Sequence, residues 1–363
     1  MSSHHLFKSL KIGIACQAFM QSGGMERYVL DLIEAFHVLG IRPTVFARKF
    51  DKDLIQYQWV NAVRVNVDWL PSKCRDYWFS RQMSRLRSNY KIDILLSTSR
   101  ITCADVAICG GTHKGFLKAM RKKHGFWDKI QYQLEEKLYK NAKVVVAHSL
   151  LMRQEIQDLY GITSSKVHCI YPPVNLDRFE VLNSLEDKVK LRCQLGLPLD
   201  KYAFVYPVGG DFKRKGMQIL KDFFSKTHLP IELVIVGKEP KEHFPNMRYL
   251  GYCSDMKSLY QAADFTIMAS RYEPFGLIGP ESVACGTRLV LSDRVACSEV
   301  LPNTTFVIFD ALSTEALEQT ITQLLQDYPS VPVNLLTVNE VNQLLEFLDS
   351  PKNHLIKILD LVK

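Results

Sequence analysis

The sequence predicts an α/β protein built from two doubly wound domains, and three observations carry that expectation. Short apolar runs rich in β-branched residues alternate with helix-periodic segments along most of the chain. The alternation breaks at residues 171–179 (YPPVNLDRF), because two prolines can neither continue a helix nor pair inside a sheet. The 363 residues, 47% hydrophobic and 23% charged, are too many for one ordinary domain and suit two with sizeable cores.

The elements follow in order. Residues 10–16 (LKIGIAC) read as a strand, with QAFMQSGG as the polar loop after it. Residues 25–40 then space Val29, Leu32, Ile33, Phe36 and Leu39 along one helical face and end in glycine. With the next strand at 43–48 (PTVFAR), the chain opens on a strand–loop–helix–strand unit, the precursor of a parallel sheet. Runs at 92–98, 106–109, 143–148 and 167–171 continue the pattern, with helical spacing near 127–140 and 149–160. Past the prolines, strands are expected at 202–208, 231–237, 247–252, 264–270 and 287–293, with helices between them. This gives a first domain over 1–171, a second over 172–340, and a helical terminal segment over 341–363 that packs back toward the first.

Nine cysteines form no CxxC pair and no zinc-type spacing, and most lie in apolar runs where a thiol is a small hydrophobe. The start has no apolar segment ahead of a cleavage site, and no run approaches the roughly 18 residues of a membrane span. A reduced, soluble, cytoplasmic protein is expected. The net charge of +8 allows a polyanionic partner, but nucleic acid fits poorly because no reading module appears.

Three loops carry candidate chemistry. PVGGDFKRKGMQIL (207–220) ends a strand, passes two glycines and leads into a helix, so Gly210, Lys213, Arg214 and Lys215 suit an anion; the plain alternative is a solvated basic helix start. It is neither a Walker A loop nor GxGxxG. In SGGME (22–26), Gly23 and Gly24 would let backbone amides approach a ligand, or simply form a loop. In RYEPFGLIGPE (271–281), Glu273 precedes a helix start whose free N–H groups at Gly276, Leu277 and Ile278 suit phosphate or sugar oxygens, and Glu281 follows about two turns on. Two carboxylates so placed can each grip a vicinal diol. A nucleotide-sugar offers one at each end, so one glutamate suits the sugar and the other the ribose.

Residues 259–293 (LYQAADFTIMASRYEPFGLIGPESVACGTRLVLSD) closely resemble the donor-site segment of the retaining, GT-B-fold glycosyltransferases of family 4, with their Glu-x7-Glu motif. GGDFKRKGM resembles that family's basic phosphate-binding loop and SGGMERYVLDL its first glycine loop, and the nearest likeness is to bacterial lipopolysaccharide core glucosyltransferases. The resemblance spans nearly the whole chain. It implies two Rossmann-like domains facing across a cleft, donor binding mainly in the second, acceptor binding in the first, and transfer with retained anomeric configuration. It also implies residue roles. Glu273 binds sugar hydroxyls beside the amides of Phe275, Gly276, Leu277 and Ile278. Glu281 binds ribose, Arg214 and Lys215 neutralise the leaving diphosphate, and the Gly23–Gly24 loop closes over it. His113, in CGGTHKG, stands where many members place a histidine near the transferred sugar, to orient a sugar hydroxyl or the acceptor; the plain alternative is a structural histidine. The departing phosphate takes the acceptor proton on the same face, so no enzyme nucleophile and no metal or other cofactor is needed. Two departures stand out. Gly209-Gly210 replaces a common Gly-Arg pair, and RVACSEV (294–300) lacks the usual glycines before Glu299. Asp51-Lys52-Asp53 matches Asp-x-Asp but lies in a polar stretch far from these motifs and reads as surface.

In residues 113–140, Lys118, Arg121, Lys122 and Lys123 interleave with Phe116, Leu117, Met120, Phe126 and Trp127. That mixture suits docking onto an anionic membrane face, against the plain reading of a basic helix turned to the core. The expected function is therefore transfer of a hexose, glucose from UDP-glucose first, to a membrane-associated glycolipid such as lipopolysaccharide core. The protein would sit peripherally on the inner face of the cytoplasmic membrane. Any base reader would lie around Lys238 or in GYCSD (251–255), and neither segment separates uracil from guanine or adenine. Other readings are a transferase using GDP-mannose or another donor, a GT-B epimerase, and a sugar-nucleotide-binding protein without activity. The last two are disfavoured by the match over 259–293 and the intact glutamates and cations.

Overall fold

The computed structural model describes residues 7–175, 178–333, 336–345 and 348–363. They fall into two compact units, Met1–Pro173 with Asp349–Lys363, and Val174–Leu348. The first holds seven parallel strands: β1 (Ile12–Phe19), β2 (Thr44–Phe50), β3 (Asn61–Arg64), β4 (Ile94–Ser97), β5 (Val106–Cys109), β6 (Val144–Ala147) and β7 (Val167–Cys169). Their spatial order is β3-β2-β1-β4-β5-β6-β7. Helices α1 (Gly24–Val38), α2 (Arg75–Asn89), α3 (His113–Ala119), α4 (Phe126–Asn141) and α5 (Leu150–Tyr160) connect them. Strands β4, β5 and β6 are buried at every position, which is why they read as unbroken apolar runs rather than alternating ones. The predicted face of α1 is buried at Val29, Leu32, Ile33 and Phe36, in one core with Ile12, Ile14, Ile94 and Val146.

The second unit contains α6 (Leu185–Gln194), β8 (Tyr202–Val208), α7 (Met217–Phe224), β9 (Ile231–Gly237), β10 (Met247–Tyr249), α8 (Met256–Ala262), β11 (Phe265–Met268), α9 (Ile278–Ala284), β12 (Arg288–Ser292), β13 (Phe306–Phe309), α10 (Thr314–Asp327) and α11 (Val338–Leu345). Its six strands are also parallel, in the order β10-β9-β8-β11-β12-β13. Each sheet thus reverses its direction of winding once, between β1 and β4 and between β8 and β11. Ligands of open α/β sheets sit outside the carboxyl ends of the strands at such points. The expected class, two Rossmann-like α/β domains, is the observed one.

Three local expectations need correction. Strand β1 runs to Phe19, through residues read as loop, because Ala18 and Phe19 pair with Lys49 and Phe50 and the two phenyl rings pack 5.6 Å apart. The terminal segment is two helices in different units rather than one piece over 341–363. Ser350 caps a new start with Pro351 in the first turn, giving α12 (Pro351–Asp360). Helix α12 buries Leu355, Ile358 and Leu359 in the core of the first unit, and His354 Nε2 lies 2.8 Å from Tyr28 Oη of α1. Burial pushes the imidazoles of His354 and His148 down to about 3, so both are neutral here. The division between units falls at Pro173 and Val174 within the Pro-Pro stretch; Leu176 and Asp177 of that stretch, and Glu346 and Phe347 of the terminal one, lie outside the described residues.

The start of β11 is fixed by a buried charge. Asp264 accepts from Arg192 Nη1 (2.5 Å) and from the N–H groups of Ala203 and Val333 (both 2.8 Å), and pairs with Lys188 at 3.5 Å. Asp264→Ala leaves two buried cations of α6 without their anion, so it should cost about 3–5 kcal/mol. The check is a urea titration, in which the midpoint falls while the slope is unchanged.

Candidate functional site

The two loops that leave the second sheet at its reversal meet. The loop after β8 is a string of turns, and α7 begins only at Met217. Lys213, Arg214 and Lys215 therefore precede the helix instead of opening it, and charge rather than a helix end is what they offer an anion. Gly216 adopts φ +79°, and a Cβ there would lie 1.8 Å from the carbonyl oxygen of Ala269. Only glycine allows this turn to press against the chain leaving β11. Arg271 N–H then donates to Arg214 O at 2.8 Å and ties the loops together.

This contact aims the side chains. Glu273 Oε2 accepts from Lys215 Nζ at 2.6 Å, Arg214 Nη1 at 3.1 Å and Ser270 Oγ at 3.1 Å. Arg214 Nη1 also donates to Tyr272 O at 3.0 Å. Burial would push the Glu273 carboxyl up, but Lys215 and Arg214 outweigh it and hold the group below the usual carboxylate range. The sequence reading set Glu273 on a sugar and the two cations on a diphosphate as separate grips. The structure gathers all three into one cluster, with Oε1 outside these bonds and one net positive charge on the trio. Lys213 and Gly210 lie on the same loop, Lys213 exposed and Gly210 with open space where a side chain would be.

Beyond Glu273, the loop is pinned to residues 294–297: Glu273 N–H donates to Arg294 O (3.1 Å), Ala296 N–H to Glu273 O (3.2 Å) and Cys297 N–H to Phe275 O (2.8 Å). Gly276, at φ +96°, packs against Met268 and the stem of Glu273. Helix α9 starts at Ile278, two residues later than predicted, and is seven residues long, so the loop's amides count for more than any helix dipole. Phe275 is buried, and its carbonyl is taken by Cys297 N–H. Leu277 is half-buried, and Glu281 stands half-buried in the first turn of α9.

In the first unit, Gly23 and Gly24 form the exposed start of α1, and neither has positive φ. Space at Gly24, where a Cβ would meet nothing within 4 Å, is what glycine supplies. His113 opens α3. Its N–H donates to both carboxylate oxygens of Glu135 (2.9 and 3.1 Å), and its Nε2 lies 2.8 Å from Asp128 Oδ1. The Gly125 N–H and His113 together hold Asp128 below the usual range. Around them runs a network without counterpart in the sequence reading. Buried Glu135 accepts from Arg100 Nε (2.8 Å) and Tyr160 Oη; Arg100 also approaches Asp76, which Gln17 and Arg48 reach from the ends of β1 and β2. The only sequence signal was charge at core-facing helical positions.

The membrane candidates divide. Lys118, Arg121, Lys122, Lys123, Phe126 and Trp127 are exposed, while Leu117 and Met120 are buried. The stretch is two helices separated at 120–125. Asp51 and Asp53 form a local turn, with Asp53 N–H on Asp51 Oδ1. Among the described residues, no three His, Cys, Asp or Glu side chains are grouped to hold a metal, and no helix is long and apolar enough to cross a membrane.

Residues 22–178 match the Glycosyltransferase Family 4 model and residues 205–327 the Glycosyl transferases group 1 model. A probable transglycosylase of Burkholderia thailandensis is 35% identical over 352 residues, 97% of this chain and 96% of that protein. Among solved structures, WaaG, a glycosyltransferase involved in lipopolysaccharide biosynthesis, superposes with a TM-score of 0.80 at 14% identity, covering 97% of this chain and 99% of WaaG. Anabaena HepE in complex with UDP and glucose gives 0.74 at 15%, over 97% and 99%. At these identities the superpositions bear on fold alone.

The lowered carboxyl of Glu273 makes a pH prediction. Its contribution to stability is fully present above the ordinary carboxylate value of 4.5 and is lost as pH falls through the lower folded value. Thermal unfolding of the native protein and Glu273→Gln, followed from pH 7 downward, should show a gap that is constant above that value and closes below it.

Proposed function

The chain belongs to the glycosyltransferases of family 4, with a group 1 transferase domain as its second half and the GT-B fold, and on that footing we propose a retaining hexosyltransferase. Its donor is UDP-glucose and its acceptor a membrane-associated glycolipid of the lipopolysaccharide core kind, met at the inner face of the cytoplasmic membrane. The observation that carries this reading is the convergence of Arg214, Lys215 and Ser270 on one oxygen of Glu273.

A carboxylate so held is a poor base and a poor nucleophile, because its electrons already serve three donors. It remains a good acceptor at Oε1 for the hydroxyls of a hexose. Arg214 and Lys215 carry more positive charge than Glu273 cancels, and exposed Lys213 adds to it. Charge developing on a diphosphate as the bond from sugar C1 to phosphate oxygen breaks is stabilised there. The acceptor hydroxyl forms its bond to C1 on the face the phosphate leaves, and its proton passes to the phosphate oxygen. The glycosidic configuration is kept, and no metal takes part. Glu281 receives the ribose hydroxyls, and the amides of Phe275, Gly276, Leu277 and Ile278 line the donor. The Gly23–Gly24 turn closes on the diphosphate. In the first unit, His113, oriented by Asp128, directs a sugar or acceptor hydroxyl. The exposed cations Lys118, Arg121, Lys122 and Lys123, with Phe126 and Trp127, rest on the anionic membrane surface.

Thermal shift against UDP-glucose, GDP-mannose and ADP-glucose tests the donor. UDP-glucose should raise the melting temperature by mass action and Glu281→Ala should lose most of the shift. A shift with another nucleotide alone would change the donor, and no shift with any would point to a protein without transferase activity. Arg214→Ala should lower kcat about a hundredfold or more with a smaller change in KM, and EDTA should leave the native rate unchanged.

A further inference from the structure

A groove of about 250 Å³ opens in the first unit between the start of α2 and the first half of α4. Its walls are Tyr77, Trp78, Trp127, Ile130 and Leu134, and Lys73 and Lys137 border it. Three of the chain's four tryptophans gather here. The Trp69 and Trp78 rings are 6.1 Å apart, Phe126 meets Trp127 edge-on at 5.5 Å, and the Lys73 ammonium lies 5.9 Å over Trp127. The Arg81 guanidinium lies 5.8 Å over Trp78. These rings are not core. Trp69 and Phe126 are each 70% exposed, Tyr77 47% and Trp127 38%.

Lys73, Arg81 and Lys137 stand at the patch, and the exposed cations of 118–123 precede Phe126 and Trp127 in the chain. Nearby carboxylates already have partners: Asp76 pairs with Arg48 and Arg100, Asp128 with His113, and Glu136 with Lys140. Exposed rings with a polar tip, cations on flexible stems and an apolar slot are the composition of a membrane–water interface. Ile130 and Leu134 offer a saccharide's hydroxyls no partner, although Gln133 also lines the groove. A hydrocarbon chain loses nothing there and gains by leaving water.

We propose that this groove takes one acyl chain of an anionic bilayer phospholipid, with the headgroup phosphate against Lys73 and Lys137. The inference rests on the membrane reading above and deepens it. The protein would then extract part of a lipid into itself, instead of resting on headgroup charge alone, and α2 would belong to the docking face beside α3 and α4.

Tryptophan emission reads this directly, because bromine on an acyl chain quenches an indole it touches. The full-length protein is mixed with vesicles of equal phosphatidylcholine and phosphatidylglycerol, with mid-chain bromines or without. Brominated chains should quench, unbrominated ones should not, and Trp78→Phe/Trp127→Phe should lose the greater part of the quenching. Trp59, stacked on His37 at 4.1 Å, should stay unquenched. Ile130→Lys should abolish quenching while the protein still sediments with vesicles, and Tyr77→Lys at an exposed position checks that result without touching the core. Replacing Lys73 or Lys137 by alanine should weaken vesicle binding about fivefold for each charge. Sedimentation with vesicles but no bromine quenching overturns the groove and leaves the membrane reading standing. No sedimentation at all overturns both.

Discussion

Glu273 keeps its charge where burial opposes it, and the grip of Arg214 and Lys215 is what makes that possible. Much of the second unit serves to bring those three groups together. Strands β8 and β11 are neighbours whose following loops leave the sheet side by side at its reversal, so residues 58 and 59 positions apart in sequence become adjacent. Gly216 lets one loop touch the other, and Ser292 Oγ on β12 holds the Ser270 carbonyl at 2.6 Å. Removing the carboxylate from such a set leaves two neighbouring cations without their anion in a partly buried place, which costs more than the pairing itself contributes.

The chemistry follows from how that carboxylate is occupied. Free glutamates beside a sugar can act as bases or nucleophiles, whereas one that already receives an ammonium, a guanidinium and a hydroxyl can only orient. In the proposed reaction the leaving phosphate would then be the base nearest the reacting bond, and the surplus positive charge of Arg214 and Lys215 would stabilise its departure. The first unit works by a different balance. In the Gln17–Arg48–Asp76–Arg100–Glu135 network, cations and carboxylates pair off, which fixes geometry at the strand ends without a net field.

Much of this was legible in the sequence. Fully buried parallel strands announce themselves as apolar runs, so β5 and β8 lie where the pattern put them. Short edge strands such as β3, mostly exposed, leave no such trace. Glu273, Arg214 and Lys215 were each readable as polar residues in glycine-bearing loops after strands. Their mutual contact was not, because spacing along a chain carries no information on which loops meet. Glu135 and the Trp78–Trp127 groove escaped for the same reason: each needs two helices side by side. The split of the terminal segment turned on Ser350 and Pro351, a cap signal inside a continuous helical pattern.

The central claim is that Glu273 is too firmly held to act as base or nucleophile, so transfer proceeds on one face of the sugar. The most direct measurement is the anomeric configuration of the first-formed product from UDP-α-glucose, read by proton NMR before equilibration. An α-linked product is predicted. A β-linked product would contradict the account, since inversion requires an enzyme base on the opposite face that a triply bonded Glu273 does not supply.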